Sequence, residues 1–306
     1  MQIYIAGTQG FCSGVSFAIR IVEEALKKYD LPVFVLHEIV HNTHVVNDFK
    51  KRGVVFVEKL SDVPENNLVI LSAHGAPPSV YEEAEKRKIK VIDATCPLVN
   101  KVHNEAKKYS KENYAVILIG HKKHQETVGT AGYVDKELLH IVESEKDIEG
   151  LTIPKNTKIA YITQTTLSVD DVKDLIASLR KKFPGMIKKD ATDICYATQN
   201  RQDAVKELSK LCDVIIICGS PNSSNSNRLR ETGEKTGKPS YIIDSAQELD
   251  LNVLDRKEKV GISSGASVPR FVVDDVVEKI KTRFKDAELI FMENREKNIT
   301  FKLPLI

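Results

Sequence analysis

The sequence predicts an α/β fold: three pseudo-repeated α/β units with mainly parallel sheets around one central cavity. Three observations predict it. Strand-like runs of Val, Ile and Leu alternate with helical stretches, the pattern of parallel sheets covered on both faces. The order strand, polar loop, helix, strand, second polar loop occurs three times. A lone cysteine opens each repeat, at the end of a strand and the start of a helix: Cys12 in QIYIAGTQGFCSGV, Cys96 in VIDATCP and Cys195 in DICYATQNRQ. A helix N-terminus favours an anion such as thiolate, so three cysteines in one recurring setting suggest a shared object at the centre.

After each cysteine comes a helix, over 15–29, 99–112 and 199–211, and then an apolar strand, over 32–36, 114–119 and 214–218. A polar loop follows each strand: HEIVHNT, GHKKHQET and GSPNSSNSN. After another helix, a strand enters an acidic turn, in VVFVEKLSDV, LHIVESEKDI and SYIIDSAQEL. A last strand leads into a loop of small polar residues and a helix, in VILSAHGAPPSVYEEAEKR, AYITQTTLSVDDVKDLIASLR and GISSGASVPRFVVDDVVEKIK. Ser79 with Glu82, and Ser168 with Asp171, read as capping boxes, and Ser267 and Pro269 sit in cap-like positions. Strands at 90–93 and 189–194 close the first two units, so by the repeat order the strand before Cys12 closes the third. The units are therefore 14–96, 97–193 and 194–285 together with 1–13. The tail 286–306 lies outside them, and its segment Asn298–Leu303 reads as an edge strand.

Composition bounds the function. The chain has 306 residues, 42% hydrophobic and 29% charged, which suits a globular protein with ample core. A formal net charge of +2 gives no basic excess to suggest a nucleic-acid partner. No apolar run approaches the roughly 18 residues of a membrane span, and MQIYIAG has no signal-peptide layout. The expected compartment is the cytoplasm, where five cysteines serve as metal ligands, catalysts or core rather than as disulfides.

In parallel sheets, ligand groups gather at the carboxyl ends of strands, where all three cysteines and all six polar loops fall. Three thiolates without a fourth fit a cubane cluster with one iron left open, or a three-cysteine zinc site with an open position. Cys212 and Cys218 fall at a helix end and in a strand, and read as core. His41 in VHNTH, His74 in SAHGAPP and His124 in GHKKHQET occupy matching loops, and the third unit offers Ser223, Ser224, Asn225 and Ser267 instead. Imidazolium, hydroxyl, amide and helix N-terminal N–H groups together suit a polyanion such as diphosphate. Glu126 follows His124 by two residues. Spacing alone makes it a surface glutamate, and the alternative is an acid inside a cavity that hands on a proton. Thr165, in the second loop of that unit, suits a substrate hydroxyl or a water. No Walker or dinucleotide fingerprint is present; Gly7, Gly10 and Gly14 have the wrong spacing.

The motifs GFCSGV, VHN, SAHG, DATCPLV, HQETVGT, TQTTLS, ICYATQNRQ, SSNSNRL and GASVP resemble the IspH/LytB family. The resemblance runs to about residue 285. One departure is HQET where the family often has HPEV, and it leaves His124 and Glu126 in place. The resemblance implies a 4-hydroxy-3-methylbut-2-enyl diphosphate reductase of the methylerythritol phosphate route to isoprenoids. It implies one [4Fe-4S] cluster on Cys12, Cys96 and Cys195, with the fourth iron open to the substrate hydroxyl. It implies diphosphate contacts from His41, His74, His124, Ser223, Ser224, Asn225 and Ser267, with Glu126 as proton donor and Thr165 in its relay. The electron donor it implies is a small ferredoxin or flavodoxin. Two other classes accommodate a three-cysteine cluster: an iron–sulfur hydro-lyase, which needs no electron donor, and an iron–sulfur sensor or electron carrier.

Overall fold

The computed structural model describes residues 1–187, 193–296, 299–304 and 306. The first stretch runs β1 (Gln2–Ile5), α1 (Ser13–Lys28), β2 (Val33–Leu36), α2 (Thr43–Lys51), β3 (Val54–Val57), β4 (Leu68–Leu71), α3 (Pro78–Lys86) and β5 (Lys90–Asp93). The second runs α4 (Pro97–Lys111), β6 (Ala115–Ile119), α5 (Gln125–Ala131), β7 (Leu139–Val142), α6 (Glu145–Gly150), β8 (Ile159–Thr163) and α7 (Val169–Lys182). The third runs α8 (Tyr196–Leu211), β9 (Val214–Cys218), α9 (Ser224–Lys235), β10 (Ser240–Ile243), β11 (Lys259–Ser264), α10 (Arg270–Arg283) and β12 (Glu288–Phe291).

The strands form three sheets, ordered β3-β2-β4-β5, β7-β6-β8 and β10-β9-β11-β1-β12. Every strand pair among the described residues is parallel. The strand leading to Cys96, β5, sits beside β4, and the strand leading to Cys12, β1, sits beside β11. The corresponding strand before Cys195 was expected over 189–194; residues 189–192 lie outside the described residues.

Parallel sheets form because these strands are apolar on both sides. In β6, Ala115, Ile117 and Ile119 pack with Val172, Ile176 and Leu179 of α7. The alternate residues Val116 and Leu118 pack with Val102, Ala106 and Tyr109 of α4. In β9, Val214, Ile216 and Cys218 face Val272, Val273 and Val276 of α10, while Ile215 and Ile217 face Val205 and Leu208 of α8 and Leu229 of α9. Each fully buried Val or Ile side chain contributes roughly 1.5–3 kcal/mol of transfer free energy, so the two-sided strands are anchored mainly by their covering helices. Cys212 and Cys218 belong to these layers, and burial pushes both thiols up to about 12.

Packing divides the chain into two compact bodies. One comprises Met1–Ser16, Val40–Phe49 and Tyr196–Thr300, with the five-stranded sheet; the other comprises Phe17–Ile39, Lys50–Cys195 and Phe301–Ile306, with the other two sheets.

Four expectations are corrected. The helices after Cys12 and Cys195 start at Ser13 and Tyr196, directly after the cysteine and earlier than the expected 15 and 199, while the helix after Cys96 starts at Pro97, the first helical position that a proline there suits. In α1 a hydrogen bond from Val15 N–H to Cys12 Sγ (3.4 Å) holds that first turn. Ser79 is no cap: Pro77 is the N-cap of α3 and Pro78, with φ already set, takes the first helical position. Ser267 caps nothing either, since Pro269 precedes α10 and the Ser267 hydroxyl donates to the His41 carbonyl (2.9 Å). The tail is not outside the sheets: Glu288–Phe291 is β12, paired to β1. That takes the free sheet edge, and residues 299–303 form no strand; Phe301 instead meets Phe17 edge-on at 6.1 Å. Asn298 lies outside the described residues.

Candidate functional site

One backbone contact recurs at all three cysteines. The second residue beyond β4, β8 and β11 turns its carbonyl to a cysteine amide. Cys96 N–H donates to Ala73, Cys195 N–H to Thr165 and Cys12 N–H to Ala266, at 3.0, 3.1 and 3.0 Å. Each cysteine is therefore fixed beside the second polar loop of a repeat and at the mouth of a helix, half-buried. The Cys96 turn is held further by Asp93, whose Oδ1 accepts the Thr95 N–H (2.8 Å) and hydroxyl, while Tyr81 donates to Oδ2 (2.9 Å).

The body that holds Cys96 and Cys195 also holds His74, His124, Glu126 and Thr165. His74 and His124 meet ring edge to ring face, centroids 5.8 Å apart and planes at 90°. His124 is the N-cap of α5, its Nδ1 accepting the Glu126 N–H (3.2 Å). An accepting Nδ1 puts the proton of a neutral ring on Nε2, which becomes the donor. Gly75, at φ +80°, carries the chain past His74; a Cβ there would lie 2.4 Å from His103 Cε1.

Glu126 overturns the surface reading. It is 2% exposed. Its carboxylate accepts the Thr165 N–H at 2.6 Å and the Thr165 hydroxyl at 3.0 Å. Burial raises its pKa from 4.5 to about 7, against the lowering effect of the Thr165 hydrogen bonds and with a smaller push from the Asp193 charge. Thr165 thus touches Glu126 through its amide and hydroxyl, and Cys195 through its carbonyl. Its hydroxyl rotates freely, so it can donate to a carboxylate or accept from a carboxylic acid.

The body that holds Cys12 also holds His41, Ser223, Ser224, Asn225 and Ser267. Ser223 is the N-cap of α9, its Oγ accepting the Ser226 N–H (3.4 Å), and Ser224 begins the helix. Asn225 is 6% exposed, and neither its amide oxygen nor its amide nitrogen has a hydrogen-bond partner. Asn42, beside His41, is likewise buried with its Nδ2 unpartnered. An unsatisfied buried polar group costs about 1–3 kcal/mol, so these amides mark a place built for a polar ligand. Ser267 ties its loop to His41, and Ser220 Oγ accepts the Thr43 N–H (3.1 Å), which joins the three loops of this group.

The LytB protein family model matches residues 3–281. This chain belongs to the LytB family. A protein of Rhodopseudomonas palustris named 4-hydroxy-3-methylbut-2-enyl diphosphate reductase 1 is 51% identical over 302 residues, 99% of this chain and 98% of its own length. The reductase of that name from Acinetobacter baylyi is 48% identical over 307 residues, 99% of this chain and 97% of its own. The solved structure of the E-1-hydroxy-2-methyl-but-2-enyl-4-diphosphate reductase from Plasmodium falciparum superposes with a TM-score of 0.96 at 39% identity, covering 99% of this chain and 95% of that one.

Among the described residues of this LytB protein, no group of three or more His, Cys, Asp or Glu side chains gathers around one point where a metal ion would sit. A cubane cluster would set each thiolate on its own iron, so three such ligands need not meet at one point. The donor set fits such a group: three half-buried thiols at helix starts, one of them already accepting a backbone N–H. Sequence reasoning missed Asn42, Thr43, Ser220, Asp93 and Gln164. Gln164 Oε1 accepts from His121 N–H (3.0 Å) and Thr127 Oγ1 (3.2 Å), bracing the loop that carries Glu126. The signal for Asn42 and Asp93 was adjacency to His41 and Cys96; the others show themselves only through contacts distant in sequence.

Proposed function

We propose that this LytB-family chain is a 4-hydroxy-3-methylbut-2-enyl diphosphate reductase. It removes the allylic hydroxyl as water, with two electrons and two protons, to give isopentenyl and dimethylallyl diphosphate. The observation that carries the reading is Glu126: a buried acid with a pKa near 7, hydrogen-bonded to the residue whose carbonyl holds Cys195. The three-unit division at 14–96, 97–193 and 194–285 with 1–13 belongs to the same proposal.

Cys12, Cys96 and Cys195 would hold the [4Fe-4S] cluster. When bound, the cluster supplies electrons and an open Lewis-acidic iron for the hydroxyl oxygen. This chain's residues supply the rest. Asn225, Ser223 and the first turn of α9 bind diphosphate oxygens, with Ser224, Ser267, His41, His74 and His124 as further donors. These contacts place binding energy away from the reacting carbon. Glu126 holds a proton near neutral pH, and Thr165 Oγ1, 3.0 Å away, passes it on. The electrons come from a ferredoxin- or flavodoxin-type donor in the cytoplasm.

The test is an anaerobic assay of the purified, full-length protein. The expected result is a brown protein that turns over the allylic diphosphate only with reductant. Turnover without reductant makes it a hydro-lyase, and a cluster with no diphosphate affinity makes it a carrier. His41→Asn and His74→Asn are expected to raise the substrate Kd, each lost charge-assisted hydrogen bond being worth about 1.5–3 kcal/mol, roughly 10-fold or more. Isothermal titration under nitrogen measures it, and unchanged Kd values remove those histidines from the diphosphate site.

A further inference from the structure

The residues after β12, Met292–Glu296, lie beyond the LytB match and have no role in the chemistry above, yet they are packed onto the loop that presents Cys12. Met292 N–H donates to the Ile5 carbonyl at 2.9 Å. The tail backbone then crosses Gly7 so closely that a Cβ there would stand 1.9 Å from the Glu293 carbonyl oxygen. Only glycine fits beneath it. Thr8 Oγ1 donates to Asn294 Oδ1 (3.2 Å), which also accepts the Glu296 N–H (2.9 Å).

The contact that organises this region is Arg201. It is fully buried and spends all five donors. Nε and Nη2 reach the Gly10 carbonyl at 3.3 and 2.7 Å, and Nη1 reaches the Ala197 carbonyl at 2.8 Å. Nη1 and Nη2 also grip Glu296 Oε1 and Oε2 as a two-pronged pair, at 2.9 and 3.2 Å. Gly10 is two residues from Cys12. A buried guanidinium stays in place only when its charge is compensated and its donors are filled. Of the groups these bonds reach, the one carboxylate comes from the tail.

We propose that Glu296 and Arg201 are positioning residues for Cys12. The tail closes over the Cys12 loop, and Glu296 compensates Arg201 so that Arg201 can hold the Gly10 carbonyl and set the loop for a metal ligand. The inference rests on Cys12 being a ligand in the reductase reading. It concerns a part of the chain to which that reading gives no role.

The full-length protein is purified anaerobically, a chelator is added to follow cluster loss, and iodoacetamide is then added to the fully stripped protein, in which none of the three thiols is ligated. Visible absorbance follows cluster loss, and mass spectrometry follows alkylation at each cysteine. For Glu296→Gln, the expected result is faster cluster loss and alkylation of Cys12 about tenfold faster, as a locally opened loop would give. Cys96 and Cys195 keep their wild-type rates, and Glu296→Asp restores Cys12 toward wild type. Asn294→Ala, which releases Thr8 and leaves the ion pair, gives a smaller change in the same direction and serves if Glu296→Gln does not fold. Glu207→Gln, which breaks only an exposed pair with Arg295, changes nothing. An unchanged Cys12 rate overturns the proposal, and so does an equal rise at all three cysteines, which would mean general destabilisation. A wild-type protein without iron would sink the reductase reading while leaving the Cys12 alkylation result to decide the loop contact by itself.

Discussion

Glu126→Gln is expected to slow single-turnover reduction by about 10²–10⁴-fold, the usual worth of a positioned acid, with iron content and substrate affinity retained. Glutamine keeps the size of the side chain. Its amide oxygen still accepts the Thr165 N–H and its amide nitrogen donates to Thr165 Oγ1, so the local geometry survives and only the proton is removed. A loss in rate with unchanged binding is the mark of an interaction used in the transition state. Rapid-mixing kinetics beside a substrate titration measures both, and wild-type turnover by the variant would remove Glu126 from the chemistry. The same substitution changes how stability depends on pH. Burial lifts the native carboxyl from 4.5 to about 7, so the folded protein binds this proton more tightly than the unfolded chain does. The resulting stabilisation is fully present below pH 4.5, falls as the pH rises and is gone above about 7. At about 1.36 kcal/mol per tenfold in proton affinity, the loss is on the order of 3 kcal/mol. Urea unfolding should show wild type losing this much relative to Glu126→Gln across that window; parallel pH profiles would contradict the buried acid.

Serine at Cys12, Cys96 or Cys195 is expected to abolish stable cluster binding and with it all turnover, whereas Cys212→Ser and Cys218→Ser should keep full iron content. The reason lies in surroundings rather than in residue type. The first three thiols are half-buried at helix starts, with their amides tied to the loops after β4, β8 and β11. The other two are completely buried in apolar layers, and their thiols are pushed up to about 12, so they supply no thiolate. Iron and sulfide analysis of anaerobic preparations decides it. Loss of the cluster in either core variant, or its retention in any of the first three, would break the assignment. The core variants should lose some stability, since a buried hydroxyl without a partner costs about 1–3 kcal/mol, and that loss is separable from iron content by chemical unfolding.

The alternation of apolar strands and helices was legible because it is written locally. Strands such as β6 and β9 are apolar at every position, and the helices that cover them bring their own apolar stripes, so period and length suffice to read three parallel sheets. The cysteines were legible for the same reason: each sits in a local strand-to-helix setting that Cys212 and Cys218 lack.

Glu126 shows where local reading ends. In HQETVGT it follows a histidine at the start of a short helix, which is an ordinary surface position. Its burial and proton affinity are decided by Thr165, 39 residues away, and by the sheet that brings the two loops together. The carbonyl that fixes each cysteine is equally invisible, because Ala73, Thr165 and Ala266 offer the backbone and not a side chain. The tail read as an appendage, since nothing in its own residues says that β12 completes the edge beside β1 or that Glu296 meets a buried Arg201. The sequence by itself determined the repeated α/β pattern and which side chains are candidates for chemistry, because periodicity and motif are properties of neighbouring residues. Only the tertiary structure decided which of those groups are dry, which are paired and which loops they hold, because solvation and hydrogen bonding are set by whatever the fold brings within about 3 Å.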